Sequence, residues 1–119
     1  ILLEIPAQQQ TGGLLLQVGN CFALELTLVS RTLHAYVKDT GEQTMQDCGT
    51  LQLVPGAPVR LQVFLDRCSA EIFADGKCLS VNVFDTAPLR PVSLIPQGGT
   101  LPLQLLQVWH LQHVMEPQT

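Results

Sequence analysis

Residues 59–84 read VRLQVFLDRCSAEIFADGKCLSVNVF, and this stretch decides the fold. Val59, Leu61, Val63 and Leu65 alternate with Arg60, Gln62 and Phe64, the period of two expected of a strand with one buried face. Asp66-Arg67-Cys68-Ser69 then makes a turn. With Leu65 opposite Ala70, Val63 faces Ile72 and Leu61 faces Ala74, so one side of both strands stays apolar. Asp75-Gly76 is a two-residue hairpin signal, because glycine tolerates positive φ, and it places Ile72 opposite Leu79 and Ala70 opposite Val81 on that same side. Two independent turns therefore demand one register, that of a three-stranded antiparallel meander.

Outward from this meander, turn clusters recur at the spacing of short strands. Gln8 to Gly13 separates ILLEI from LLLQV, Gly19-Asn20 precedes CFALELTLV, Ser30-Arg31 precedes TLHAYVK, and Asp39 to Gly41 follows it. Pro55-Gly56 leads into the meander, while Pro88, Pro91, Pro96 and Gly98-Gly99 punctuate the route to a closing strand, LQVWHLQHV, at 105–113. No ten-residue amphipathic helix is visible. Seven or more short strands at this spacing predict an all-β fold, a two-sheet antiparallel β-sandwich filling residues 1–119 as one domain. Trp109 is expected in its core.

Composition narrows the partners. A net charge of -4 with six scattered basic residues argues against nucleic acid and against anionic membranes. No apolar run reaches the roughly 18 residues that span a bilayer. With 46% hydrophobic and only 13% charged residues, the chain is expected to bury some apolar surface against another domain. It opens on Ile, and the strand ILLEI at once follows, which is expected of a module within a longer protein. The four cysteines, Cys21, Cys48, Cys68 and Cys78, include no C-x-x-C pair, and a core of this size needs no staple. Reduced thiols and a cytoplasmic setting are the expectation. His34, His110 and His113 lie near no cysteine in sequence, which favours ordinary strand or surface histidines over a zinc site.

Chemistry-bearing motifs are sparse. Glycosidases place two carboxyl groups about 5 to 9.5 Å apart across the scissile bond. Asp66 and Glu71 are the pair to weigh, near one hairpin end. An Asp opening a turn ordinarily accepts the turn's own N–H groups, and Glu71 has Arg60 and Arg67 at hand, so a structural turn of Asp66, Arg67, Ser69 and Glu71 is expected rather than a catalytic pair. There is no G-x-S-x-G, no phosphate-binding glycine loop, no cofactor motif and no N-x-S/T sequon.

LQVFLDRCSAEIFADGK resembles the C-terminal β-sandwich module of glycoside hydrolase family 32, the invertases, fructanases and sucrose-6-phosphate hydrolases. Asp66, Arg67, Ser69, Glu71, Ile72, Phe73 and Gly76 stand at matching positions, with Cys68 and Ala70 replacing the commoner Ser and Val. LQVWHLQHV is similar to the family's closing strand, except that Gln112 replaces a basic residue. The resemblance implies a parent that cleaves sucrose, sucrose 6-phosphate or a related β-fructoside by a retaining double displacement, and the expected reduced thiols favour a bacterial one. It also implies that the acidic catalytic residues lie in an N-terminal five-bladed propeller, within Asn-Asp-Pro, Arg-Asp-Pro and Glu-Cys motifs, none of which occurs here. This module would then be noncatalytic, stabilising the propeller beside it. Two other readings stand next to it, a carbohydrate-binding module, for which one Trp, one Tyr and four Phe are few aromatics, and a domain that self-associates through strand edges. In the register above, Gln62, Phe64, Glu71, Phe73 and Cys78 point outward, and Gln62, Phe64, Glu71 and Phe73 form an expected face for the propeller or another subunit.

Overall fold

The computed structural model describes residues 1–38, 43–66, 68–83, 90–99, 101–103 and 105–108. These residues form ten strands and no helix: β1 Leu2–Ile5, β2 Gly13–Val18, β3 Phe22–Thr27, β4 Thr32–Val37, β5 Gln46–Gln52, β6 Val59–Leu65, β7 Ser69–Ala74, β8 Lys77–Asn82, β9 Val92–Gln97 and β10 Leu105–Gln107. They build two five-stranded antiparallel sheets, β10-β1-β6-β7-β8 (sheet A) and β5-β4-β3-β2-β9 (sheet B). The fold is the all-β sandwich that the strand spacing predicts.

The meander has the register required by its two turns. Leu61 pairs with Ala74, Val63 with Ile72 and Leu65 with Ala70, and on the other side of β7 Ile72 pairs with Leu79 and Ala70 with Val81. Asp75 and Gly76 both take positive φ, 52° and 72°, which gives the tight turn the right-handed twist of its flanking strands. The inward residues of sheet A, with Ile72 and Ala70 fully buried, meet those of sheet B, among them Phe22, Leu24, Leu26 and Leu33. Each large aliphatic side chain so buried contributes about 1.5–3 kcal/mol. The core is thus assembled from the period-two residues of both sheets.

Two strands, β5 and β9, lie where sequence reading named none. Strand β9 contains Pro96, and it survives because it is an edge. Gly19 N–H donates to the Pro91 carbonyl, so Val18 and Val92 are a non-hydrogen-bonded pair, and alternation then points the amide positions of Val92, Leu94 and Pro96 away from β2. Pro96 therefore lacks an N–H on the side where no strand lies among the described residues. Strand β5 is polar and interrupted by a bulge: Ala35 pairs with Gly49 and Tyr36 with Asp47, leaving Cys48 as the extra residue.

The same side of the sandwich is closed by the β7–β8 hairpin. Asp75 Oδ2 accepts the Val54 N–H at 2.6 Å and Lys77 Nζ donates to the Gln52 carbonyl at 2.6 Å, so the turn of sheet A grips the end of β5 in sheet B. Leu79 fills the space over Gly49, where a Cβ would lie 2.6 Å from a Leu79 methyl. At the end of the sandwich, Arg31 is buried, 4% exposed, with φ of 53°. Its Nη2 donates to the carbonyls of Ala7 and Gln9, and its own carbonyl accepts from Leu53 N–H, which ties three loops together.

Candidate functional site

The outer face of sheet A carries the residues expected to meet another domain. Phe64 is half exposed, and its ring packs edge to face on that of Phe73 at 5.7 Å, although the two stand diagonally rather than opposite each other on β6 and β7. Gln62 lies opposite Phe73, and Glu71 opposite Phe64, exposed. Leu2 occupies the same row beyond Gln62 yet is only 6% exposed. Arg60 pairs with Glu4 of β1 at 3.2 Å, the residue directly across from it, and not with Glu71, which lies on β7 opposite Phe64. Cys78 is exposed on this face as the register requires; Cys48 and Cys68 are exposed as well, whereas Cys21 belongs to the core.

In the hairpin turn, Asp66 N–H donates to the Ser69 carbonyl at 2.9 Å, and the Asp66 carbonyl accepts both Arg90 Nη atoms at 3.2 Å. The Cys68 carbonyl accepts Val83 N–H at 3.0 Å, anchoring the turn to β8 as well. Arg67 lies outside the described residues, as do Trp109, His110, His113 and the closing strand beyond Val108.

On the outer face of sheet B sequence reading weighed only His34, as a zinc ligand, and set it aside; the face holds an array of polar side chains. Along one row run Ile95, Leu15, Glu25, His34 and Thr50, and along the next Ser93, Gln17, Ala23, Tyr36 and Asp47. Tyr36 Oη donates to Glu25 Oε1 at 3.2 Å. His34 Nδ1 lies 3.0 Å from Asp47 Oδ2 and 3.1 Å from Thr50 Oγ1, while Asp47 Oδ1 accepts Gly49 N–H at 3.1 Å. The bulge makes this possible. Were Cys48 paired regularly with Tyr36, alternation would set Asp47 opposite Val37 and turn its carboxylate inward instead of outward beside His34. Burial first, and then the Glu25 charge and hydrogen bond and the Asp47 charge, raise the Tyr36 phenol above its ordinary 10.0.

A carboxylate, an imidazole and a hydroxyl side by side suggest nucleophilic catalysis, but the geometry opposes it. A relay needs the carboxylate on one ring nitrogen and the hydroxyl on the other. Here Asp47 and Thr50 share Nδ1, so no base is aimed at the Thr50 hydroxyl. Because an ionised carboxylate only accepts, Nδ1 carries the hydrogen and donates it to both oxygens. Among the described residues no group of three His, Cys, Asp or Glu side chains is placed to hold a metal, and no helix is long and apolar enough to cross a membrane.

A search of curated proteins finds no match to this chain. The family model described as "Glycosyl hydrolases family 32 C terminal" matches residues 16–110, from β2 into the closing segment and across the whole meander. With that match over most of its length and a two-sheet antiparallel sandwich beneath it, the chain belongs to the C-terminal family of the family 32 glycosyl hydrolases.

Proposed function

We propose that this chain is the noncatalytic C-terminal module of a bacterial, cytoplasmic β-fructofuranosidase, and that it stabilises an N-terminal propeller which hydrolyses sucrose, sucrose 6-phosphate or a related β-fructoside. The family match over residues 16–110 carries this reading. The lack of the three acidic motifs in the sequence agrees with it, as does the placement of the carboxylates among the described residues, such as Glu25, Asp47, Asp66 and Glu71, on sheet faces and in a turn. The face that meets the propeller is the outer face of sheet A, through Gln62, Phe64, Glu71 and Phe73. Strand β1 runs between β6 and β10 in that sheet, so a domain joined ahead of β1 is tethered there. An exposed aromatic pair beside glutamine and glutamate is the mixture that interfaces between domains use, apolar contact for affinity and polar groups for orientation.

Self-association through strand edges has less support. Edge β9 is blunted by Pro96, and edge β5 has its end occupied by Asp75 and Lys77. The test is a pair of assays with sucrose, sucrose 6-phosphate and a fructan. The purified 119-residue chain should cleave none of them, and the protein that carries it together with its upstream domain should cleave at least one. Cleavage by the module alone, lost on Asp66→Asn or Glu71→Gln, would overturn the noncatalytic reading.

A further inference from the structure

The groups on the outer face of sheet B have hydrogen-bonding capacity left over after their mutual bonds, and the leftover capacity has a pattern. Glu25 uses Oε1 for Tyr36, which leaves Oε2 to accept. Tyr36 spends its hydrogen on Glu25, which leaves its oxygen to accept. His34 spends Nδ1–H on Asp47 and Thr50, so when the ring is neutral its Nε2 is an acceptor. Thr50 accepts from that same Nδ1–H, and its own hydroxyl hydrogen is left to donate. Three acceptors and one donor are thus fixed on adjacent strands, each held by a partner that sets its orientation. Beside them in Glu25's own row stand Leu15 and Ile95, the latter 45% exposed, an apolar shelf next to the polar array.

We propose that this face binds a neutral, hydroxyl-rich saccharide. Such a ligand offers many O–H donors to an acceptor-rich array, and its C–H surface can lie on Leu15 and Ile95. An anionic ligand is disfavoured, since Glu25 and Asp47 bring two negative charges and neither row contains Lys or Arg. Five strands at about 4.8 Å spacing give the row from Ile95 to Thr50 a length of about 19 Å, room for a short oligosaccharide. This face is also the one turned away from sheet A, so it stays open to solvent when a catalytic domain covers Phe64 and Phe73. The inference rests on the geometry, and on glycoside hydrolase membership only for the choice of probes.

The experiment is a titration of the 119-residue chain, followed by amide NMR, with an inulin-type fructo-oligosaccharide, maltopentaose and cellopentaose in turn, and separately with a lysine-rich peptide. At least one saccharide should bind at millimolar concentration and shift the amides around Glu25, His34, Tyr36, Thr50 and Ile95. Glu25→Gln combined with Thr50→Val should weaken that binding by about tenfold or more. Ser80→Ala on sheet A should leave it unchanged, and unaltered melting curves should show both variants folded. If no saccharide shifts these amides, or the lysine-rich peptide binds there while every saccharide is inert, the proposal fails. Neither result touches the proposed activity of the parent, which the hydrolysis assays judge separately.

Discussion

The two outer faces of this sandwich are built on the same scaffold and differ in what they leave unfinished. Sheet A presents Phe64 and Phe73 edge to face, with the exposed Glu71 opposite Phe64. Sheet B presents Glu25, His34, Tyr36, Asp47 and Thr50 already bonded to one another. An apolar pair half open to water lowers its free energy by meeting another surface, whereas a bonded polar array is stable in solvent and keeps spare acceptors. One fold is thereby suited, on the two proposals above, to a protein on one side and a small polar ligand on the other. The inward residues of both sheets serve neither purpose.

The largest effect should therefore come from that shared interior. Ile72→Ala empties a fully buried site and should cost about 2–5 kcal/mol in denaturant unfolding, and Ile72→Ser should cost more because a hydroxyl is buried as well. Phe64→Ser with Phe73→Ser is the test on the face itself. Because Phe64 is half exposed, the double variant should cost the 119-residue chain much less than Ile72→Ser does, but it should lower the melting temperature of the full-length protein. Equal damage to the module from both changes would make the Phe pair an internal cluster and erase the contrast between the faces.

The coupling between the sheets gives the next effect. Asp75→Gly keeps the positive φ of the turn and removes the acceptor for Val54 N–H, so the loss of the cross-sheet latch plus added chain freedom should cost about 1–2 kcal/mol. Hydrogen exchange at Val54 should quicken while the centre of β7 stays protected. Uniform quickening across both sheets would mean that Asp75 supports the whole fold and not the edge of β5.

How much of this was legible in the sequence follows the same division. In sheet A the residues that pair are neighbours in the chain, so Asp75-Gly76 and the alternation from Val59 to Val81 were enough to specify every pair of β6, β7 and β8. In sheet B the strands missed were its two edges. Gln46–Gln52 lacks alternation because the bulge at Cys48 breaks it, and Val92–Gln97 hides behind a proline that only an edge tolerates. The polar array was equally invisible. Glu25, His34 and Asp47 lie on three strands, and the bulge that turns Asp47 outward leaves no mark in the local pattern. Arg31 read as a turn residue, since its partners Ala7 and Gln9 are more than twenty positions away.

Smaller again is the expected contribution of the turn that opens β7. We propose that the Asp66 carboxylate caps the turn whose backbone is held by Ser69 and Arg90, so Asp66→Ala should cost about 1 kcal/mol, the scale of one local hydrogen bond. Asp66→Asn should recover much of it, because the amide oxygen accepts in the same place. If alanine proves neutral, backbone bonds alone fix the register on this side of the meander.

The smallest effect lies in the sheet B array and is readable because Tyr36 is the chain's one tyrosine. Burial, Glu25 and Asp47 raise its phenol above 10.0, so absorbance of the phenolate should appear with a midpoint above that value in the folded chain and near it once the chain is unfolded. The folded state then holds the proton more tightly. Stability from this group is fully present below about pH 10 and is lost as pH rises from there through the higher folded value. Tyr36→Phe should remove that component of the alkaline decline, and Glu25→Gln should lower the midpoint by deleting the neighbouring charge. A midpoint unchanged by Glu25→Gln would mean that the Tyr36–Glu25 bond is not kept in solution, and the face would lose the preorganisation that separates it from sheet A.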